Sequence, residues 1–121
     1  MKNFKDLRVW NEGMDLVCLI YSLTKLLPKE ELYSLSDQMR RAAVSIPSNI
    51  AEGNSHPSAK ERIRYLNIAM GSASELETQL ILCARIGYLS EEQISKAVDD
   101  CERIARMLSS FADTISSSPQ Y

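Results

Sequence analysis

Two glutamates, Glu52 and Glu75, are the residues whose type and position best suit acid–base chemistry. Because a helix turns by about 100° per residue, Glu52 falls at the end of a line of polar residues along one face of a predicted helix. The other members of that line are Gln38, Arg41, Ser45 and Asn49. Glu75 lies near Ser72 on the apolar face of the next predicted helix. Two carboxylates facing each other between helices could move a proton or hold a small molecule, with Arg41 beside them.

A structural role is the alternative for the same polar residues, and the sequence favours it. An ionised carboxylate buried alone on an apolar face costs several kcal/mol, so Glu75 needs a partner. Arg41 is the predicted partner, with hydrogen bonds from the neighbouring polar groups. The predicted network, which would fix the alignment of the two helices, comprises Gln38, Arg41, Ser45, Asn49, Glu52, Ser72 and Glu75.

Motifs for other catalytic or ligand-binding chemistry are not found in the sequence. The single histidine, His56, precedes Pro57 in a predicted turn, and no two of the three cysteines form a C-x-x-C pair. Neither a zinc set, nor a glycine-rich phosphate loop, nor a nucleophile elbow can be assembled. We therefore predict no metal, no cofactor and no enzymatic activity, with the Glu52 and Glu75 pair as the alternative.

Three basic residues near the start of the third predicted helix, Lys60, Arg62 and Arg64, are candidates for contacts with RNA or an acidic partner. Lys60 and Arg64 lie one turn apart on one helix face. The whole chain has 14 basic and 16 acidic residues and a net charge of -2. It therefore lacks the overall positive charge that drives counterion release from nucleic acid. Ordinary solvated surface charge is the alternative for these three residues.

Apolar spacing, capping residues and chain breakers predict four helices, at about residues 6–27, 34–53, 58–87 and 90–115. Pro47 lies inside the second helix and, because it lacks an amide hydrogen, predicts a kink there. Because short connections favour antiparallel neighbours, we expect an all-α, up-down-up-down four-helix bundle. The expected single domain covers residues 1–115, and a frayed tail follows at 116–121.

The predicted helix boundaries rest on capping residues. Ser34, with Asp37 three residues later, predicts the start of the second helix, and Gly53 predicts its end. Capping boxes begin the third and fourth helices, at Ser58 with Glu61 and at Ser90 with Gln93. Side chains in such boxes satisfy backbone amides that have no partner at a helix start.

The three cysteines, Cys18, Cys83 and Cys101, are widely spaced, and each is predicted to point into the bundle as a reduced, apolar thiol. The N-terminus lacks the apolar run of a signal peptide, and no segment approaches the roughly 20 apolar residues that span a bilayer. We therefore expect a cytoplasmic protein with no membrane partner.

The first and third predicted helices carry more apolar residues than one bundle core requires. On the first helix, one line comprises Leu7, Trp10, Met14, Val17 and Tyr21, and a second comprises Val9, Leu16, Ile20, Leu23 and Leu27. On the third, the second line comprises Leu66, Ala69, Ala73, Leu80 and Ala84. Because a monomer would expose such surplus apolar faces, they predict a homo-oligomer.

Four segments carry a resemblance to a known family: FKDLRVW, LSDQMRRAAVSIPSNIAEG, YLNIAMGSASELETQL and RIGYLSEEQ. Together they resemble the four-helix-bundle proteins related to those encoded in intervening sequences of bacterial 23S ribosomal RNA genes, from Phe4 to about Ile115. The family resemblance implies an antiparallel bundle that assembles as a homo-oligomer, a pentameric ring. It also implies kinship with the accessory protein of diversity-generating retroelements, which binds nucleic acid and a reverse transcriptase through basic surfaces.

Two functional hypotheses follow from the residues and the resemblance together. The first is a non-enzymatic, homo-oligomeric interaction scaffold associated with RNA or with a nucleic-acid-processing protein. The alternative is a small-molecule binder or enzyme that uses the carboxylates of Glu52 and Glu75. The alternative requires that these side chains converge in a pocket between the helices, whereas the scaffold requires an exposed apolar face.

Overall fold

The apolar repeats of the sequence form four helices in the computed structural model, which describes residues 3–117. The helices are α1 (Arg8–Thr24), α2 (Leu35–Asn54), α3 (Ala59–Ile86) and α4 (Glu91–Ser117), and short 3-10 turns cover Phe4–Asp6 and Lys29–Glu31. The part of the chain so described contains no strand, and its helices pack in a bundle, which confirms the all-α prediction. None of these helices combines the length and the apolar character needed to cross a membrane.

Neighbouring helices run in opposite directions. Gly13, near the start of α1, lies against Pro47 in the second half of α2. Thr24, at the end of α1, accepts a hydrogen bond from Arg40 in the first half of α2 (2.9 Å). The same reversal between α2 and α3 is seen in the Met39–Cys83 and Gly53–Tyr65 contacts.

The helices surround one core in the order α1, α2, α3, α4. Each helix packs against its neighbours in the chain, and α1 also packs against α4. Within residues 3–117, no Cα atom of α1 lies within 8 Å of a Cα atom of α3, and the same holds for α2 and α4. The groove between α1 and α2 therefore lies on the opposite side of the bundle from the groove between α3 and α4.

Ion pairs join the first and last helices. Arg103 of α4 bonds to Glu12 of α1 (2.7 Å) and to Asp100 on its own helix (2.9 Å). Lys96 also pairs with Asp100, and Arg8 pairs with Glu12. The carboxylate side chains are only 9% exposed at Asp100 and 18% at Glu12, so they depend on these partners. Helical periodicity gave no indication of this network.

The predicted capping box at Ser90 forms in full, and the one at Ser58 forms one of its two hydrogen bonds. The Ser58 hydroxyl accepts a hydrogen bond from the Glu61 amide (3.3 Å). At Ser90 the box is reciprocal: the hydroxyl accepts from the Gln93 amide (3.0 Å), and the Ser90 amide donates to the Gln93 side chain (2.8 Å). Gly87 ends α3 with φ at 96°, a left-handed conformation that favours glycine.

The predicted start of α2 is right in position but wrong in mechanism. Ser34 precedes the helix, yet its side chain makes no capping hydrogen bond. The Glu31 carboxylate instead accepts a bond from the Leu35 amide (3.4 Å). The acidic residue before the helix therefore satisfies the Leu35 amide, whereas Ser34 was expected to satisfy the Asp37 amide.

The predicted end of α2 at Gly53 is wrong. The helix continues to Asn54, and Gly53 is a buried residue within it. A Cβ at Gly53 would lie 2.9 Å from the Cβ of Tyr65 and 3.2 Å from the Arg62 carbonyl oxygen. Glycine is therefore needed here for the close approach of α3 rather than for a cap. The helix also continues through Pro47, where the kink stays a prediction.

The remaining boundaries differ by a few residues. α1 ends at Thr24 rather than Leu27, because Pro28 has no amide hydrogen to donate to the Thr24 carbonyl four residues earlier. The amides of Leu26 and Leu27 form tighter bonds to carbonyls three residues earlier. Ser116 and Ser117 of the predicted tail belong to α4, and residues 118–121 lie outside the described residues.

Two of the three cysteines are core residues. Cys83 and Cys101 are fully buried, and burial raises the pKa of Cys101 to about 12, so its thiol stays protonated. Cys18 is exposed, which contradicts its predicted inward position. Cys18 lies on the solvent-facing side of α1, because the core takes the line through Leu16 and Ile20.

Candidate protein interface

Three residues of the predicted polar network meet between α2 and α3. The hydroxyl oxygens of Ser45 and Ser72 lie 2.8 Å apart. The Asn49 side-chain amide donates to the Ser45 hydroxyl (2.9 Å) and to the Ser45 carbonyl (2.8 Å). These neutral hydrogen bonds connect the two helices at the edge of the core.

The predicted ion pair between Arg41 and Glu75 is wrong. Arg41 pairs with Asp37 one turn earlier (2.9 Å), and its side chain is 79% exposed. Glu75 is exposed and accepts a hydrogen bond from Gln79 on its own helix (3.2 Å). The polar line lies farther from the core than predicted, and water solvates its charged members. Gln38 and Glu52 are exposed for the same reason.

The structure also separates Glu52 from Glu75. Ser45 meets Ser72 across the α2–α3 contact, and the two helices run in opposite directions. Glu52 follows Ser45 by seven residues and Glu75 follows Ser72 by three. At 1.5 Å per residue, the glutamates are roughly 15 Å apart along the bundle, well beyond the spacing of a catalytic carboxylate pair. The alternative hypothesis of an acid–base pair is therefore wrong in its geometry.

Only two of the three predicted basic contacts share a face. Lys60 and Arg64 are exposed and one turn apart, whereas Arg62 points about 160° away around α3. Arg62 is half-buried, and its Nε atom has no hydrogen-bond partner among the described residues. Glu61 pairs with Arg64 (2.8 Å), and this bond lowers the pKa of Glu61. The local positive charge is thus smaller than the sequence indicates.

An aromatic stack extends the surface of Lys60 and Arg64. The Arg64 guanidinium lies 4.6 Å from the centre of the Tyr65 ring. The His56 ring stacks on Tyr65, with centroids 5.1 Å apart and planes 16° from parallel. The spacing of the basic residues gave no sign of this stack, since His56 belongs to the turn before α3.

A largely apolar groove of about 350 Å³ lies between α1 and α2. We define the α1–α2 face as Phe4, Trp10, Met14, Val17, Tyr21 and Val44, bordered by Arg40 and Arg41. Met14, Tyr21 and Val44 are each at least 40% exposed. This face comprises most of the first apolar line predicted for the first helix. Met14 and Tyr21 of that line are exposed, whereas Leu7, Trp10 and Val17 are partly buried against the core.

The surplus apolar surface predicted for the third helix is present, but its second apolar line does not supply it. Its second apolar line lies in the core, since Leu66, Ala69, Ala73 and Leu80 are all buried. The exposed apolar residues of α3 are instead Ile68, Ile81, Leu82 and Ile86. Both α1 and α3 pack against α2 and α4, but the contacts of α3 are more extensive, so α3 uses a broader part of its circumference for the core.

An acidic groove of about 560 Å³ lies between α3 and α4. We define the α3–α4 face by four carboxylates, Glu77, Glu91, Asp99 and Glu102, around the apolar residues Ile81 and Val98. No lysine or arginine lines the groove. Partial burial, and then the neighbouring Glu102 carboxylate, raise the pKa of Glu77. Two carboxylates therefore approach each other here without a compensating cation.

The acidic face has no metal-binding geometry. Within residues 3–117, no three histidine, cysteine or acidic residues come close enough to hold one ion. The sequence contains only a partial signal for this face, namely the excess of acidic residues after Leu89. Glu77 belongs to a different helix, and only the packing of α3 on α4 brings it to Glu102.

Comparisons with known proteins agree with this architecture. The family described as 23S rRNA-intervening sequence protein matches residues 5–110. A solved structure of a protein of unknown function from the S23 ribosomal protein family of Bacteroides thetaiotaomicron VPI-5482 is 30% identical, with a TM-score of 0.80. The alignment covers 86% of this chain and 97% of that chain. No curated protein matches. With 106 consecutive residues matched (5–110), the chain belongs to the 23S rRNA-intervening sequence protein family.

Proposed function

We propose that the chain is a non-enzymatic scaffold that assembles with copies of itself. The exposed apolar α1–α2 face carries this proposal. α1 already supplies Leu16, Ile20 and Leu23 to the core, so the exposed residues of its first apolar line, Met14 and Tyr21, are surplus to the fold. Contiguous apolar surface of this kind on a small protein marks an interaction site. Neither the family nor its solved member carries an enzymatic description.

The form of the groove favours a protein surface over a small ligand as its occupant. Small-molecule sites enclose their ligand and direct several polar groups at it. The α1–α2 groove is open, and its floor consists of Trp10, Met14, Val17 and Pro47. Aromatic, methionine and arginine side chains, which form and border this groove, are enriched at protein interfaces. A second copy is the partner that is always present, and the family resemblance adds a pentameric ring as the expected assembly.

Substitution of two exposed apolar residues tests this proposal. Met14→Asp with Val44→Asp places charges in the α1–α2 face, because both side chains lie at its surface. Burying two unpaired carboxylates is strongly unfavourable, so we expect the variant to sediment as a single chain of 13.6 kDa where the wild type sediments as an oligomer. Circular dichroism verifies that the helices persist.

Ser22→Asp with Ser110→Asp is the matched control. Both residues are exposed, they lie on the solvent-facing sides of α1 and α4, and the change in net charge is the same. The control variant is expected to keep the wild-type mass. If the variant at Met14 and Val44 also keeps that mass, the α1–α2 face is not the contact.

A second candidate function, RNA contact, is supported by the stack at the α2–α3 turn. Lys60 and Arg64 offer positive charge next to the stacked rings of His56 and Tyr65, and RNA-binding surfaces combine these two features. We expect a structured RNA to bind with an affinity that falls as salt rises, and Lys60→Ala with Arg64→Ala to weaken it. Lys25→Ala with Lys29→Ala, at the other end of the bundle, is the control. An affinity that neither salt nor the first pair changes would contradict RNA contact.

A further inference from the structure

We infer that the α3–α4 face of one copy docks on the α1–α2 face of the next copy, so that the chain assembles head to tail. The inference rests on the proposed self-association and names the two surfaces that meet. Since the two grooves lie on opposite sides of the bundle, their contact joins unlike surfaces. Such a contact leaves one face of each type free on a pair of chains, and further copies add until a ring closes.

The two faces carry opposite charge. The α3–α4 face presents four carboxylates, and no described residue forms an ion pair with Glu77, Glu91, Asp99 or Glu102. The α1–α2 face presents the guanidinium groups of Arg40 and Arg41. Arg41 is paired with Asp37 of the same groove (2.9 Å), so Arg40 supplies the uncompensated positive charge of this face. Complementary charge on two surfaces selects the partner and its orientation.

Arg40 is held in position for such a contact. Its Nε atom donates to the Thr24 hydroxyl (2.9 Å), and its guanidinium carbon lies 5.0 Å from the centre of the Tyr21 ring. Among the described residues, no carboxylate pairs with it. The side chain is therefore ordered while its charge is available, which lowers the entropy lost when a carboxylate of the next copy binds.

Both faces also present apolar area. Ile81 on the α3–α4 face is 39% exposed, and the adjacent Leu82 is 43% exposed. On the opposite side, Met14 and Val44 are exposed to a similar extent. An interface with apolar residues at its centre and charges around them resembles known protein interfaces, in which apolar burial contributes affinity and charge contributes specificity.

Charge exchange between the faces tests the inference. One variant combines Asp99→Asn with Glu102→Lys, and the other combines Arg40→Gln with Arg41→Glu, so the net charge changes by three units in opposite directions. Gln at position 40 keeps a donor for Thr24. We expect either variant alone to raise the apparent Kd of self-association about tenfold or more, and all four substitutions in one chain to restore it to about the wild-type value.

Thermal unfolding separates lost docking from misfolding. Glu102→Lys removes the repulsion of Glu77, so this variant is expected to unfold no lower than the wild-type single chain. Assembly that persists unchanged in both variants would assign the acidic face to another partner and overturn the inference. A chain with all four substitutions that does not regain the wild-type Kd of self-association would also overturn it. A wild type that is itself a single chain would instead refute the proposed self-association.

Discussion

Two glycines within helices have different surroundings, although both look alike in the sequence. A Cβ at Gly53 would lie 2.9 Å from the Tyr65 Cβ, whereas a Cβ at Gly71 would meet no atom within 4 Å. The first position is constrained by the contact between α2 and α3. Gly71 faces solvent in the single chain, so it lowers the stability of the fold only through the low helix propensity of glycine.

Alanine substitutions at these positions should therefore act in opposite directions. We expect Gly53→Ala to lower the free energy of unfolding by about 1–3 kcal/mol, because the methyl group forces α3 away. Gly71→Ala should raise it by about 0.5–1 kcal/mol through helix propensity. Urea unfolding in the Met14→Asp, Val44→Asp background measures both without a contribution from assembly. Each substitution adds one methyl group, so each is the control for the other, and equal effects would contradict the close approach.

For single residues, the sequence predicted the direction in which a side chain points from its helix, but not its distance from the bundle axis. The helical wheel correctly placed Ser45, Asn49 and Ser72 toward the α2–α3 contact, where they bond to one another. It could not show how far this line lies from the bundle axis. Long charged side chains at the rim pair with the closest partner on their own helix, as Arg41 does with Asp37.

At the scale of elements, the packing of α3 on α4 lowers the stability of the fold, because it partly buries Glu77 beside the Glu102 carboxylate. The pKa of Glu77 is raised above its ordinary value of 4.5 by partial burial and by Glu102. In the pH interval between 4.5 and the higher folded value, the folded chain binds more protons at Glu77 than the unfolded chain does. The contribution of this group to stability therefore falls as the pH rises through that interval.

Glu77→Gln should remove this pH dependence in the dissociated chain. In the Arg40→Gln, Arg41→Glu background, we expect the substitution to raise the free energy of unfolding near neutral pH by up to about 1 kcal/mol, since partly exposed groups are screened. The gain should shrink as the pH falls toward 4.5, where Glu77 becomes protonated. Glu92→Gln, on an exposed part of α4, is the control. A gain of the same size at both pH values would argue against the shared charge of Glu77 and Glu102.

Sequence motifs within one helical turn predicted the helices well, whereas contacts between helices could not be predicted from such motifs. The boxes at Ser58 and Ser90 and the helix end at Gly87 involve residues within one turn, so the sequence contains all of their chemistry. Gly53 was assigned to a cap because its true constraint, the approach of Tyr65, comes from another helix. The meeting of Glu77 with Glu102 was missed for the same reason.

At the scale of the whole molecule, the order of the helices determines which faces remain for a partner. Short connections in the sequence predicted antiparallel neighbours, and this order puts the α1–α2 and α3–α4 faces on opposite sides. The sequence also indicated surplus apolar surface on the first helix. It did not reveal that α3 would bury its second line, because that depends on α3 packing against both α2 and α4.

The mass of the wild-type protein in solution tests the central claim most directly. Sedimentation velocity at micromolar concentration reports mass without assuming which face is used. Head-to-tail docking that closes into a ring, as the family resemblance implies, predicts an assembly of more than two chains, with a mass that is a multiple of 13.6 kDa and does not grow with concentration. A single species of 13.6 kDa across that range would contradict self-association, and a mass that stops at two chains would contradict head-to-tail docking.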